Sequence, residues 1–327
     1  MDYKILGRTG VKVSRLCFGT MSFGNEADEA TSAALFKRCR DLGINFFDCA
    51  NSYTNGRAEE MLGKLMAAER DELVITSKVC SPMGKGVNDR GLSRRHIFLQ
   101  VEASLRRLQT DRLDVLFVHH FDQDTPMDET LRALDDLVQQ GKVLYPGVSN
   151  WSAWQIAKAH GISARNSLAR FECIQPMYNL TKRQAEVEIL PFALSEQVGV
   201  IPYSPMGGGL LSGKYSTASK PSGSRLTENA MYAKRYGEDL YYAVAERFTT
   251  YAKARNIHPA TLAIAWVMHH PAITAPIIGA RSVAQLEASL DAISVPMTPE
   301  WRAEISALSY EPPPATDRTD ERTDERK

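Results

Sequence analysis

What most limits the folds open to this chain is an alternation that runs through most of its length: short apolar runs rich in Val, Ile and Phe, each followed by a longer stretch of helical period. Strands are read at residues 14–20, 45–50, 73–79, 113–120, 143–150, 172–179, 199–206 and 273–280. Between them lie amphipathic stretches such as DEATSAALFKRCRDLG and MDETLRALDDLVQQG, several opening on Asp or Ser and closing near Gly, as capped helices do. Strand, helix, strand without interruption means parallel strands, since antiparallel neighbours need only a short turn between them. Eight such units in roughly 280 residues predict a closed (β/α)₈ barrel, with an open doubly wound sheet as the alternative.

Two segments stand outside the repeat. The opening YKILGRTGVKVS places a tight Arg-Thr-Gly turn between two short apolar pieces, which predicts a hairpin capping one end of the barrel. Residues 216–238 are rich in Ser, Lys, Pro and Gly and too long for an ordinary connection, which predicts a mobile loop over a site after the seventh strand. A single barrel domain is expected over residues 1–310. The tail at 311–327 is a proline break followed by a near-repeat of Thr-Asp-Glu-Arg with nothing apolar to bury, and is expected to be flexible; a charged helix at a contact is the alternative.

Thirty-nine basic and 39 acidic side chains balance, so no global charge draws the chain to nucleic acid or to an anionic membrane. Its five cysteines are odd in number, widely spaced and without a CxxC pair, against a disulfide framework or a zinc cluster and in favour of the cytoplasm. The first residues carry no apolar signal core, and no stretch reaches the ~18 apolar residues of a membrane span. A small-molecule partner is the default expectation. Oligomeric state is not legible.

In a parallel barrel, functional groups gather where the strands end. The polar residues at those ends are Asp48 near the end of the second strand, Tyr53 just after it, Lys78 near the end of the third, and His119 with His120 at the end of the fourth. Lys78 interrupts LVITSKV, whose flanks look buried, so it needs a carboxylate, and Asp48 on the adjacent strand is the obvious partner. A lysine beside Tyr53 would stabilise the phenolate and lower the tyrosine's pKa from ~10, making it a proton donor and, in reverse, an acceptor. His119 could hydrogen-bond a substrate oxygen at the same point. Strand alternation sends His119 and His120 to opposite faces, so only one is expected to aim inward.

Asp48, Tyr53, Lys78 and His119 resemble the catalytic tetrad of the aldo-keto reductases, a barrel family that reduces aldehydes and ketones with a nicotinamide cofactor. The segments ILGRTGVKVSRLCFGTMSFG, GKVLYPGVSNWSAWQ, YSPMGGGLLSGKY and IIGARSVAQLEASL resemble that family's in the family's order, so the resemblance covers about residues 3 to 293. It implies that Ser149, Asn150 and Gln175 hold the nicotinamide carboxamide and that Tyr203 stacks on the ring. GGLLSGK at 208–214 spells seven positions of a phosphate-binding P-loop, but the eighth is Tyr215 rather than Ser or Thr. The resemblance instead assigns this segment to the cofactor pyrophosphate, with Ser204, Leu210, Ser212 and Lys214 as contacts.

At the adenosine end, GARSVAQL leads into a helix whose N-terminal amides favour a phosphate, with Arg281 adding positive charge. The resemblance implies that Arg281, Ser282 and Gln285 bind the ribose and its 2′-phosphate, which favours NADPH (NADP⁺) over NADH. Gly19, Thr20, Asp48, Pro205, Gly279 and Ser289 complete the cofactor contacts it implies. Relatives usually carry Glu-Asn where this chain has Ala288 and Ser289, which would weaken the adenine contact and the NADPH preference. Phe23, Met83, Phe121 and Trp151 on the rim loops suggest a partly aromatic substrate pocket.

The expectation is therefore a cytoplasmic NADPH-dependent carbonyl reductase using no metal, with Tyr53 as acid. The alternatives are a regulatory subunit that binds nicotinamide cofactor with little turnover, as some members of that family do, and a barrel hydrolase or isomerase built on His119, His120 and Asp122. The latter lacks the clustered ligands of a metal site.

Overall fold

A computed structural model of the chain describes residues 1–222 and 225–316. Two short strands, β1 (Tyr3–Ile5) and β2 (Lys12–Ser14), pair antiparallel as the opening hairpin. The repeat then runs β3 (Cys17–Gly19), α1 (Glu29–Asp41), β4 (Phe46–Asp48), α2 (Arg57–Met66), β5 (Val74–Val79), α3 (Arg94–Leu108), β6 (Leu113–Val118), α4 (Met127–Gln139). It continues β7 (Val143–Ser149), α5 (Ala153–Asn166), β8 (Cys173–Gln175), α6 (Ile189–Ser195), β9 (Gly199–Val200). The last part holds α7 (Arg225–Glu228), α8 (Ala230–Tyr236), α9 (Asp239–Ala254), α10 (Pro259–Met268), β10 (Ile277–Ile278), α11 (Val283–Leu290) and α12 (Pro299–Ser306).

The eight repeat strands form one parallel sheet in the order β10-β3-β4-β5-β6-β7-β8-β9. Backbone amides of Thr274 and Ile277 donate to the carbonyls of Val200 and Pro202 at 2.9 Å each, joining β9 to the approach to β10 and closing the (β/α)₈ TIM barrel. The strands are shorter than the apolar runs that announce them, because the polar ends of those runs have already left the ladder. β9 and β10 keep only two residues each in regular pairing.

Period-two alternation sorts the side chains of each strand. Phe46, Val74, Val115, Phe117 and Cys173 face into the barrel, and Phe47, Ile75, Leu116, Val118 and Ile174 join the core between sheet and helices. The hairpin plugs the N-terminal end of the barrel, where Leu6 and Val13 pack against that inner cluster. Gly7 makes the plug possible: it sits at φ +54°, and a Cβ there would lie 2.8 Å from the Glu172 carbonyl and the Gly199 amide.

Side-chain caps start several of the outer helices, including Asp28 on α1 and Ser93 on α3. Residues 216–238, expected as a loop, instead carry the short helices α7 and α8. Asn229 accepts the amides of Met231 and Tyr232 to start α8, a cap that its polar flanks obscured. Of the tail, residues 317–327 lie outside the described residues. No helix among the described residues is long and apolar enough to cross a membrane.

Candidate active site

The same alternation that fills the barrel with apolar groups at one end delivers Asp48, Thr76, Lys78, Ser149 and Gln175 at the other. The register pairs Asp48 with Thr76, Lys78 with Phe117, and Ser149 with Gln175. Lys78 and Asp48 are 1% and 2% exposed, so both have given up nearly all hydration and must recover it from each other. Lys78 Nζ lies 2.6 Å from Asp48 Oδ2 and 2.7 Å from the Cys49 carbonyl, and donates to the Tyr53 hydroxyl at 3.1 Å. The other carboxylate oxygen, Oδ1, accepts from Thr76 Oγ1 and Gln175 Nε2, each at 2.8 Å. With both oxygens engaged, the ion pair is rigid and the ammonium points its remaining charge at the tyrosine.

Tyr53 leaves β4 through a tight turn. Thr54, Asn55 and Gly56 follow it at φ 50°, 54° and 92°, three successive left-handed residues, and Thr54 Oγ1 anchors the turn on the Phe23 carbonyl at 2.8 Å. The balance of forces on the hydroxyl differs from the sequence expectation. Burial pushes its pKa up to about 12; the Lys78 ammonium pulls the other way and loses. The phenol therefore stays protonated until something basic forms beside it. Lys78 in turn is held above the usual lysine value, because Asp48 and Tyr53 outweigh the cost of burying it.

His119 follows directly on β6, its amide continuing the ladder to the Val79 carbonyl at 2.9 Å. Its ring meets that of Tyr53 edge-on at 6.3 Å, and its Nδ1 is buried without a hydrogen-bond partner. Burial, with Lys78 and His120 as like-charge neighbours, depresses its pKa to about 2, so the imidazole is neutral. Both histidines line the cleft, against the expectation from alternation, with rings stacked 4.6 Å apart and 6° from parallel. The strand ends at Val118, so the two-residue period no longer governs where they point.

Asp48, Tyr53, His119 and His120 line a cleft of about 380 Å³, with Lys78 buried behind them. Of the residues singled out in the sequence, Gly19, Asp48, Tyr53, His119, Ser149, Asn150, Gln175, Tyr203, Ser204, Pro205, Gly279, Arg281 and Gln285 line it. Ser149 donates to the Gln175 carbonyl at 2.8 Å, Asn150 Nδ2 to the His119 carbonyl at 2.9 Å, and the Tyr203 hydroxyl to Asn150 Oδ1 at 2.7 Å. Asn150 and Ser204 hold left-handed φ of 58° and 56°, turning the chain sharply at two strand exits. Gln285 accepts the Arg281 amide at 2.9 Å, and the Arg281 guanidinium lies 3.5 Å from Glu26.

Other expected contacts are placed elsewhere. Thr20 is buried with its hydroxyl on the Asp48 carbonyl, and Leu210 is fully buried beneath the Gly207–Ser212 turn. Ser212 and Lys214 lie past the cleft, Ser282 is spent capping α11, and Ser289, about two turns further on, is 1% exposed on that helix's inner side. None of the four aromatic-pocket candidates lines the cleft. Phe23 is fully buried against Phe18, Trp151 is packed between Phe121 and Phe171, and Met83 is half-buried with its amide tied to the Asp89 carbonyl.

The cleft is lined instead by Met21, Ser22, His120 and, from α8, Met231, Tyr232 and Arg235. Arg235 lies over the Tyr203 ring, 5.7 Å from its centroid. A second network was not foreseen: Glu59 of α2, fully buried, accepts Ser77 Oγ at 2.5 Å and Arg107 Nε at 2.7 Å behind the Lys78 strand. A serine at an outward, buried position of LVITSKV is the signal that could have found it. Among the described residues no group of three or more His, Cys, Asp or Glu is placed to hold a metal ion.

A barrel whose strand ends deliver a buried lysine–carboxylate pair to a tyrosine, with a neutral histidine beside it, defines a class of carbonyl-directed sites. Comparison with known proteins agrees: the model of the Aldo/keto reductase family matches residues 15–309. The chain is 38% identical to an uncharacterized oxidoreductase of Bacillus subtilis, over 92% of this chain and 93% of the relative. It is also 38% identical to a probable voltage-gated potassium channel subunit beta of Arabidopsis thaliana, over 90% and 92%, and 32% identical to versiconal hemiacetal acetate reductase of Aspergillus parasiticus, over 92% and 94%. The chain belongs to the aldo/keto reductase family, an oxidoreductase family acting on small carbonyl compounds.

Proposed function

We propose that this protein reduces aldehydes or ketones to alcohols, reversibly, with NADPH as the cofactor and Tyr53 as the general acid. The observation that carries the reading is the Lys78 ammonium set between Asp48 at 2.6 Å and the Tyr53 hydroxyl at 3.1 Å, buried behind the cleft that Asp48 and Tyr53 line. NADPH, when bound, supplies a hydride to the carbonyl carbon. The alkoxide that results is a far stronger base than a phenolate, so Tyr53, kept protonated by burial, gives up its proton to it. Lys78 then stabilises the phenolate, and Asp48 keeps Lys78 charged and aimed. His119 donates a second hydrogen bond to the same oxygen through its outward nitrogen, and its neutrality spares Tyr53 a competing acid.

The chain's own groups suit a dinucleotide. Gly207, Gly208 and Gly209 hold φ of 61°, 68° and 103°, and the latter two line the cleft, so backbone without side chains borders the place where a diphosphate would lie. A Cβ on Gly208 would lie 2.6 Å from the Tyr232 ring. Ser149, Asn150 and Gln175 would hold the carboxamide, Tyr203 would stack on the nicotinamide, and Arg281 with Gln285 would take the 2′-phosphate. Five free, buried cysteines suit a reducing, cytoplasmic setting.

Mixing the protein with NADPH and 4-nitrobenzaldehyde tests the reading: NADPH absorbance should fall at a rate proportional to protein. The potassium-channel beta relatives in Arabidopsis and, at 37% identity, in rice support a second reading as a cofactor-binding regulatory subunit. Saturable NADPH quenching of protein fluorescence with no turnover on any carbonyl would favour it.

A further inference from the structure

Behind the strand that carries Lys78 lies an ion pair neither member of which lines the cleft. Glu59 of α2 is fully buried; one carboxylate oxygen accepts the Ser77 hydroxyl at 2.5 Å and the other accepts Arg107 Nε at 2.7 Å. Arg107, in the last turn of α3, is mostly buried and reaches Ser104 Oγ with a second nitrogen at 3.3 Å. Both ends of this network abut the proposed acid. Ser77 immediately precedes Lys78 on β5. The stem of Arg107 lies against Gly56, three residues after Tyr53: a Cβ on Gly56 would lie 2.7 Å from Arg107 Cδ and 2.8 Å from its Nε. Gly56 ends the left-handed run that carries Tyr53 away from β4, and it is also the residue from which α2 starts.

We infer that Glu59, Arg107 and Ser77 are positioning residues for Tyr53, fixing from behind the sheet the 3.1 Å between its hydroxyl and the Lys78 ammonium. The inference rests on the reductase reading above and extends it from the groups that meet substrate to those that hold them in place. Lys78 comes from a strand and Tyr53 from a turn, so their separation depends on how strand and turn are held to each other. Glu59 joins the two, through one hydrogen bond to the strand and one to the guanidinium whose stem underlies the turn. As a source of stability alone a buried ion pair is a poor choice, since apolar side chains of similar volume often do as well or better. What charge-assisted hydrogen bonds add is a fixed direction. The same strand carries a second pair for comparison. Towards its start, away from Tyr53, Asp114 Oδ2 accepts Arg70 Nη2 and the Ile75 amide, each at 2.8 Å. That pair ties down β5 without touching the turn.

The test sets the wild type beside Ser77→Ala, which cuts the link to the strand, and beside a triple variant, Glu59→Met with Ser77→Ala and Arg107→Met, which fills the same space with apolar groups. Arg70→Met serves as the control at the other end of β5. Turnover of 4-nitrobenzaldehyde with NADPH is measured well below each unfolding midpoint, and NADPH binding by fluorescence quenching. Ser77→Ala should lower kcat about tenfold and the triple variant up to about 10²-fold, the order of an ångström of misplacement, with KM and NADPH affinity within about twofold of wild type. Arg70→Met should lower the unfolding midpoint and leave kcat per folded molecule within about twofold. In a Tyr53→Phe background, Ser77→Ala should alter the residual turnover by less than about twofold, because the group it positions is gone. If the triple variant does not fold, Ser77→Ala in the two backgrounds decides alone. An undiminished kcat in Ser77→Ala, an equal loss in both backgrounds, or a matching loss in Arg70→Met would overturn the inference and leave the reductase reading standing. Absence of turnover in the wild type would overturn both.

Discussion

The two ends of the barrel are built from the same strands and do opposite things. On β4, Phe46 and Asp48 both point inward, two residues apart; on β5, so do Val74 and Lys78, four apart. At the Phe46 end, burial is itself the stabilising term, and the hairpin completes it with Leu6 and Val13. At the Asp48 end, burial is a cost, offset only where every charge and lone pair finds a partner. The difference teaches where the chemistry comes from. The desolvation that makes the Lys78–Asp48 pair expensive also pushes Tyr53 up to about 12 and His119 down to about 2.

That contrast can be broken from either side. The largest effect is expected from Lys78→Met, which strands a buried carboxylate: a stability loss of about 3–5 kcal/mol in chemical denaturation, together with loss of turnover. Adding Asp48→Asn to it should restore most of the stability and none of the turnover, because the stranded charge is gone but the tyrosine remains untuned. Recovery of both would show that the pair is only structural.

Phe46→Ala, at the other end, should cost a similar or slightly smaller amount, about 3–5 kcal/mol, through the cavity it leaves. Its turnover per folded molecule should stay within about twofold of wild type, since Phe46 belongs to the apolar cluster and contributes no polar group to the site. A matching collapse in turnover would mean that the two ends are not separable.

Arg281→Ala should raise the Michaelis constant for NADPH about tenfold, the order expected from one charge-assisted hydrogen bond, and leave that for NADH nearly unchanged. Equal effects on both would remove the 2′-phosphate role. The smallest effect is expected from pH. Tyr53, raised to about 12, remains a protonated acid at every lower pH, and His119, lowered to about 2, remains neutral at every higher one. The reduction rate at saturating NADPH should therefore stay flat from pH 6 to 9. A limb near the ordinary histidine value of ~6.5 would show that His119 is hydrated and titrating.

The Asp48–Lys78 contact was legible because a lysine inside a β-branched run has no physical excuse without a carboxylate. The barrel was legible because its unit repeats. The direction of the Tyr53 shift was not, since a sequence identifies the neighbouring ammonium but not how far the hydroxyl is withdrawn from water. The paired orientation of His119 and His120 was hidden by where β6 stops. The cleft wall from α8 was hidden for a different reason: residues 216–238 have loop composition, and only the Asn229 cap and the Tyr232 and Tyr236 packing make a helix of part of them. Phe23 and Trp151 read as pocket aromatics because composition cannot tell a rim ring facing inward from one buried under the rim.

The central claim is that the buried charge pair exists to make Tyr53 an acid. Tyr53→Phe tests it most directly: turnover of 4-nitrobenzaldehyde with NADPH, measured beside NADPH binding by fluorescence quenching. Turnover should fall by about 10²- to 10⁴-fold, the usual contribution of a positioned acid, while the quenching curve and the unfolding midpoint stay where they were. Turnover undiminished in the phenylalanine variant would contradict the account.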